Sequence, residues 1–375
     1  MMTDSNLSRR GFLRGGLAAA ATSTLLAGCL NNSSSDNETD GGSGDPYTVS
    51  IKPMGKVTID GVPKTWLANN GSWADMGIAL GQQPPDGVWL TDRYHTQYYD
   101  AIPGVSVDKS GMTQLYSDGI SKEVFYQTGA DVHVMDPNFI LNRFKGMSQN
   151  DIDQIKQNVG PFFGNTIFSR GYNWHNYRYY TLYEAFEKLS KVFKQEQRYT
   201  EFKSLHEEFQ QTIKSSLPPE SERPSVGIFW AGGNEPEKFS PYVMDEGTSF
   251  KQWRDLGVTD ALAKSDVGNL HSSRTHVDLE TILNVDPDVL LFRGHEAQTE
   301  SEFNKTLVSF LKEHSVASKL TAVKNDMVFR GGPLYQGPIT NLVVTERAAK
   351  QVYPDAFSDV TLFDPKAVAG IVNGN

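Results

Sequence analysis

The chain contains two versions of one unit. Glu123 opens a short helical pattern that leads, eight residues on, into Asp131-Val132 and an apolar run, and Glu280 does the same ahead of Asp288-Val289. The copies lie 157 positions apart, from 123 to 280 and from 131 to 288. A short helix feeding a buried strand, repeated along a chain, builds parallel sheets whose functional loops collect at the carboxyl ends of the strands. The expected architecture is therefore α/β: two Rossmann-like lobes with parallel sheets and a cleft between them.

Further strands are predicted at 64–67, 87–90, 226–230 and 327–330, and helices at 73–80, 303–314 and 339–352. Between the two copies, Leu182, Phe186, Leu189 and Phe193 fall at helical spacing, as do Phe202, Leu205, Phe209 and Ile213. Pro218-Pro219 stops the second of these helices, since proline lacks the donor that continues the ladder. At about 1.5 Å per residue that helix spans roughly 30 Å, enough to act as a backbone bracing both lobes.

The first residues read as an address. Arg9-Arg10-Gly11-Phe12-Leu13 precedes an apolar run, Leu17 to Leu26, that is much shorter than the roughly 20 residues a spanning helix requires. The paired arginines resemble a twin-arginine export signal. Leu26-Ala27-Gly28-Cys29 resembles a lipobox, whose cysteine is acylated after cleavage. Cys29 is the only cysteine, which excludes an internal disulfide and a multi-cysteine metal site. Residues 30–45 carry almost no apolar side chains and are expected to be a flexible tether, with Asn-x-Ser/Thr triplets at Asn31, Asn32 and Asn37. The expected organisation is a signal at 1–29, the tether at 30–45, an N-terminal lobe at 46–175, a helical linker at 176–218 and a C-terminal lobe at 219–375.

With 35 basic against 45 acidic residues the chain has a net charge of −10, which disfavours nucleic acid as a partner. Gly-x-Ser-x-Gly, His-Glu-x-x-His and phosphate-cradling glycine loops are absent, so an enzyme, the rival class for a two-lobed secreted α/β protein, is not expected. The eight histidines make no pair at metal-ligand spacing supported by nearby carboxylates, so capture of a bare ion is disfavoured and no cofactor is expected. His95, His175 and His295 are the candidates for ligating iron or cobalt within a bound haem or corrinoid.

Aromatic residues concentrate between Phe162 and Tyr183, with arginines interleaved. Flat apolar walls with a few cations suit a large, rigid ligand, and the guanidinium fork suits carboxylate or catecholate oxygens. The residues expected to hold it are Trp73, Arg93, Tyr94, Arg170, Trp174, Trp230, Arg293, Arg330 and Tyr335, most of them in loops after the predicted strands.

Asp278 to Phe292 (DLETILNVDPDVLLF), Leu320 to Arg330 (LTAVKNDMVFR) and Val343 to Pro354 (VVTERAAKQVYP) resemble the signature segments of the helical-backbone class of ABC-transporter substrate-binding proteins, which serve siderophore, haem and vitamin B12 importers. The N-terminal lobe departs from the pattern, with Gly129-Ala130-Asp131 where the family usually has Lys-Pro-Asp. The resemblance implies a monomeric receptor, lipid-anchored on the extracytoplasmic face of the membrane. It implies capture of a metal chelate, with an iron siderophore favoured over a corrinoid or haem, and delivery to a permease with its ATPase. Glu123 and Glu280 stand where the family docks on permease arginines.

Overall fold

A computed structural model describes residues 45–144 and 146–374. The twin arginine, Cys29 and all of the tether but Asp45 lie outside the described residues. The chain enters with an antiparallel hairpin of β1 (Tyr47–Ile51) and β2 (Gly55–Ile59). Four short strands then form a parallel sheet: β3 (Trp66–Ala68), β4 (Gly87–Val88), β5 (Thr113–Gln114) and β6 (Val132–Val134), in the order β5-β4-β3-β6. A second sheet contains β7 (Ser225–Ala231), β8 (Phe239–Pro241), β9 (Thr259–Asp260), β10 (Val289–Arg293) and β11 (Val328–Arg330). Its order is β11-β10-β7-β8 with β9 on the far end of β7, and only the β7–β8 pair is antiparallel.

The internal repeat is real in three dimensions. Helices Lys122–Thr128 and Leu279–Val285 each carry their glutamate, Glu123 or Glu280, at the second position and each lead into a strand, β6 or β10, that pairs with the first strand of its sheet. The Asp131 carboxylate accepts from the Lys64 and Thr65 amides at 2.8 and 2.9 Å, while the Asp131 amide donates to Thr65 Oγ1. Asp288 repeats this pattern with Ser225, whose amide and hydroxyl donate to it at 2.8 and 2.7 Å and whose Oγ accepts from the Asp288 amide. On the outer side β10 pairs with β11, and β6 has a parallel bridge from His133 to Phe162 in the corresponding place.

Strand residues in the second sheet face two cores alternately, as a sheet covered on both sides requires. Val226, Ile228, Val289 and Leu291 join the core shared with the first sheet, whereas Phe229, Leu290 and Phe292 pack with Phe303, Leu307 and Leu311 on the opposite face. Helix Pro338–Val352 fills the space between the lobes, with Ile339 and Leu342 in the shared core. Its first turn is held by the N-terminal lobe: Asp75 Oδ2 accepts from the Ile339 and Thr340 amides at 3.0 and 3.2 Å. A Cβ on Gly337 would lie 2.4 Å from that same oxygen, so only glycine admits so close an approach.

The bracing helix runs Glu196–Ser216, after a shorter helix Leu182–Val192 begun by the Thr181/Glu184 capping box. Near one end Arg198 donates to the Leu80 carbonyl of the first lobe at 2.8 Å, and further along Gln210 donates to Asp255 of the second at 2.9 Å. The expected 303–314 helix is present as Glu300–Phe303 and Ser309–Glu313 joined by a π-helical turn at Asn304–Val308. Such turns widen a helix locally without breaking its axis, so a simple helical period still showed in the sequence.

Candidate ligand cavity between the lobes

A cavity of about 330 Å³ lies at the carboxyl ends of the parallel strands. The first lobe contributes Trp89, Leu90 and Arg93 after β4, Tyr116 after β5, and Phe139, Arg143 and Phe144 from helix Pro137–Arg143 and its end. The second contributes Trp230 from β7, Tyr242 after β8, Leu270, His271 and Arg274 from the short helix Leu270–Ser273 and its cap, and Leu334 and Tyr335 after β11. Phe168 and Tyr172 from the connecting segment complete the wall. This is the crevice that parallel strand ends and their loops create.

The walls differ in character. On the first lobe the rings interlock: Trp89 stacks on Tyr116 with centroids 5.1 Å apart and meets Phe144 at 4.5 Å and Phe139 at 5.3 Å. Arg143 lies 4.9 Å over the Phe144 ring. On the second lobe His271 is surrounded by Tyr242, Tyr172 and Phe168, with centroids 5.1 to 6.1 Å away. Arg93 reaches across, lying 4.7 Å over the Trp230 ring. Among the described residues no carboxylate lines the cavity.

Burial, reinforced by the nearby charges of Arg293, Arg274 and Arg143, lowers the His271 pKa to about 3, so its imidazole is neutral. Its Nδ1 lies 2.7 Å from Ser169 Oγ, whose hydroxyl in turn donates to Asp245 at 3.1 Å. Burial raises the Tyr242 phenol, opposed by the charges of Arg293, Arg93, Arg274 and Arg143, so four guanidiniums bear on one point of the wall.

Of the nine residues expected at a ligand, the structure brings Arg93, Trp230 and Tyr335 to the cavity. Trp174 is one ring removed, stacked on Tyr172 at 5.1 Å. Trp73 is instead a core residue, fully buried and donating its indole N–H to the Asn165 carbonyl. Tyr94 is buried as well, its hydroxyl 2.8 Å from that of Tyr99. Arg170 is exposed and lies over Tyr179. Arg330 donates to the Gln298 carbonyl and lines a separate hollow beside β11.

Arg293 is the informative case. It does not line the cavity but lies fully buried behind it, 4.9 Å from the Tyr242 ring and 4.6 Å from that of Phe250. One Nη donates to the Ser249 carbonyl, while Nε and Nη1 have no partner among the described residues. Burial lowers its pKa to about 10, which leaves it charged at neutral pH. Of the candidate histidines, His175 is enclosed between Tyr177 and Tyr179, and the histidine at the cavity is His271. Arg143, Arg274 and His271 lie at helix ends, away from the strand-end loops that sequence reading favoured. Arg274 caps its four-residue helix at a positive φ of 56°, a conformation nothing in its local sequence demands.

Glu123 and Glu280 are both exposed.

The periplasmic binding protein family model matches residues 135–334, more than half of the 375-residue chain, and the chain belongs to that family. No curated protein matches the sequence. Solved structures share its fold at low identity. Helicobacter pylori CeuE with Ni(II) bound aligns with a TM-score of 0.58 at 13% identity over 88% of this chain and 96% of that one. The ABC-type Fe3+-hydroxamate transport system protein of Saccharomonospora viridis aligns with a TM-score of 0.53 at 19% identity, covering 82% and 98%. Staphylococcus aureus SirA complexed with staphyloferrin B gives 0.53 at 14%, covering 81% and 98%. These matches fix the fold as that of the two-lobed, helix-braced binding proteins.

Proposed function

We propose that this protein is the receptor of an ABC importer, capturing a metal chelate between its lobes and handing it to a permease served by cytoplasmic ATPases, with no chemistry done on the ligand. The carrying observation is the cavity's composition: Arg93, Arg143 and Arg274 around an aromatic hollow that has no lining carboxylate among the described residues. Such a site is electrostatically incomplete until an anion enters, and guanidinium forks suit the paired oxygens of a chelate. An iron siderophore is the favoured cargo, consistent with the staphyloferrin B bound by one structural neighbour. Glu123 and Glu280, matched in position on the two halves of the repeat, are the permease-docking residues, because two separated carboxylates on a rigid body orient it against a basic partner. Lobes at 46–175 and 219–375 flank the linker at 176–218. Export through the twin-arginine signal and acylation at Cys29 place the receptor, as a monomer, on the extracytoplasmic face of the membrane.

The test is protein purified from its native host, examined by mass spectrometry and absorption spectroscopy. A ferric chelate band with the matching mass supports the reading. A haem or corrinoid spectrum would redirect it within the class, and turnover of a bound small molecule would replace it.

A further inference from the structure

Arg293 is a full positive charge in the protein interior with no ion-pair partner among the described residues. The carboxylates that bear on it act only from a distance: Glu296 pairs with Arg347, and Asp245 hydrogen-bonds the Arg170 amide and the Ser169 hydroxyl instead of the guanidinium. An unpaired buried charge is costly, and contact with the Tyr242 and Phe250 rings offsets only part of that cost. The ring of Tyr242, which lines the cavity, lies 4.9 Å from this guanidinium, and the cavity's own Arg93, Arg143 and Arg274 add to the same field. Beside Arg143, which lies over Phe144, stands the interlocked aromatic wall of Trp89, Tyr116 and Phe144.

We infer that Arg293 is a remote charge selector which, together with the aromatic wall, restricts the cargo to chelates that stay anionic after binding iron and present an aryl face, catecholates above all. Hydroxamates cancel the charge of ferric iron; catecholates carry two charges each and overshoot it. Only the second kind brings net negative charge into the field of Arg293 while also presenting a flat ring to the aromatic wall. This rests on the reading of the cavity as a chelate site.

Dissociation constants for the full chain, measured with the ferric complex of a linear bis-catecholamide and with neutral ferric desferrioxamine E, test it. The unaltered protein should prefer the anionic chelate. Arg293→Met should weaken that chelate about tenfold, the effect of one charge acting through a partly polar interior, and leave the neutral one unchanged. Arg293→Lys should keep the preference. Equal weakening of both chelates by Arg293→Met would mean a structural pillar and overturn the inference, as would an unaltered protein showing no preference; neither result touches the receptor reading. Binding of no chelate at all would remove both.

Discussion

Asp131 and Asp288, 157 positions apart, hold equivalent joints: each carboxylate takes the backbone amide at the start of its lobe's first strand and returns its own amide to a hydroxyl there. The repeat is thus a repeat of hydrogen bonding, not only of pattern. Replacing either aspartate with alanine should cost about 1–2 kcal/mol, the scale for charge-assisted bonds near a surface, and the double variant should show nearly the sum because the joints lie in separate sheets. Urea unfolding of the two single variants and the double one gives the answer.

Asp75 connects the lobes from a fully buried position. Burial raises its pKa to about 7, against hydrogen bonds that favour the charged form. A carboxyl raised above its ordinary value of 3.8 adds stability at low pH, and that contribution is lost as pH climbs through about 7. Asp75→Asn should remove this dependence: melting curves from about pH 4 to about pH 8 should show the unaltered protein losing stability relative to the variant, on the order of a few kcal/mol.

Glu296 behaves in the opposite way. Burial alone would raise it, but the charge and hydrogen bonds of Arg347, at 3.1 Å, hold it at about 2. Tyr98 of the first lobe also donates to it, as does the Gly332 amide. Its contribution is present above its ordinary value of 4.5 and lost as pH falls through about 2. Glu296→Gln should cost about 3 kcal/mol at neutral pH, since it removes the counter-charge of a partly buried guanidinium, and acid titration followed by circular dichroism should find the gap closing between these values.

Arg143 and Arg274 should matter to affinity and not to folding. Each is only partly buried or exposed and neither makes an ion pair among the described residues. Alanine at either should weaken an anionic chelate by about 10–100-fold, the range for a charged hydrogen bond, with an unchanged melting temperature. Quenching of Trp89 and Trp230, both in the cavity wall, provides the binding signal.

Charge reversal at Glu123 and Glu280 separates docking from capture. The double change to arginine should leave ligand affinity within about twofold and abolish uptake in cells, because neither side chain lines the cavity. Transport of labelled chelate by intact cells is the measurement, and unimpaired uptake would exclude these two residues from the docking face.

Much of the frame was legible in the sequence because it depends on short-range rules. The apolar spacing of Phe202, Phe209 and Ile213 and the stop at Pro218 located the bracing helix, which ends at Ser216 just ahead of those prolines. The cavity was harder to see. Trp73 and Tyr94 have the same chemistry as Trp230 and Tyr335, and their placement depends on long-range packing, such as that of helix Gly71–Ala79, which carries Trp73, against helix Pro338–Val352. Arg293 stands at a strand end, where a ligand contact is expected, yet Tyr242 from a neighbouring strand connection covers it.

The shared core and the brace have a further consequence for traffic at the membrane. On the proposed receptor reading, halves pinned at Asp75 and Glu296 should keep almost the same silhouette whether laden or vacant. Vacant copies would then compete with laden ones for the same transporter, so import should rise with receptor abundance only to a point and decline beyond it.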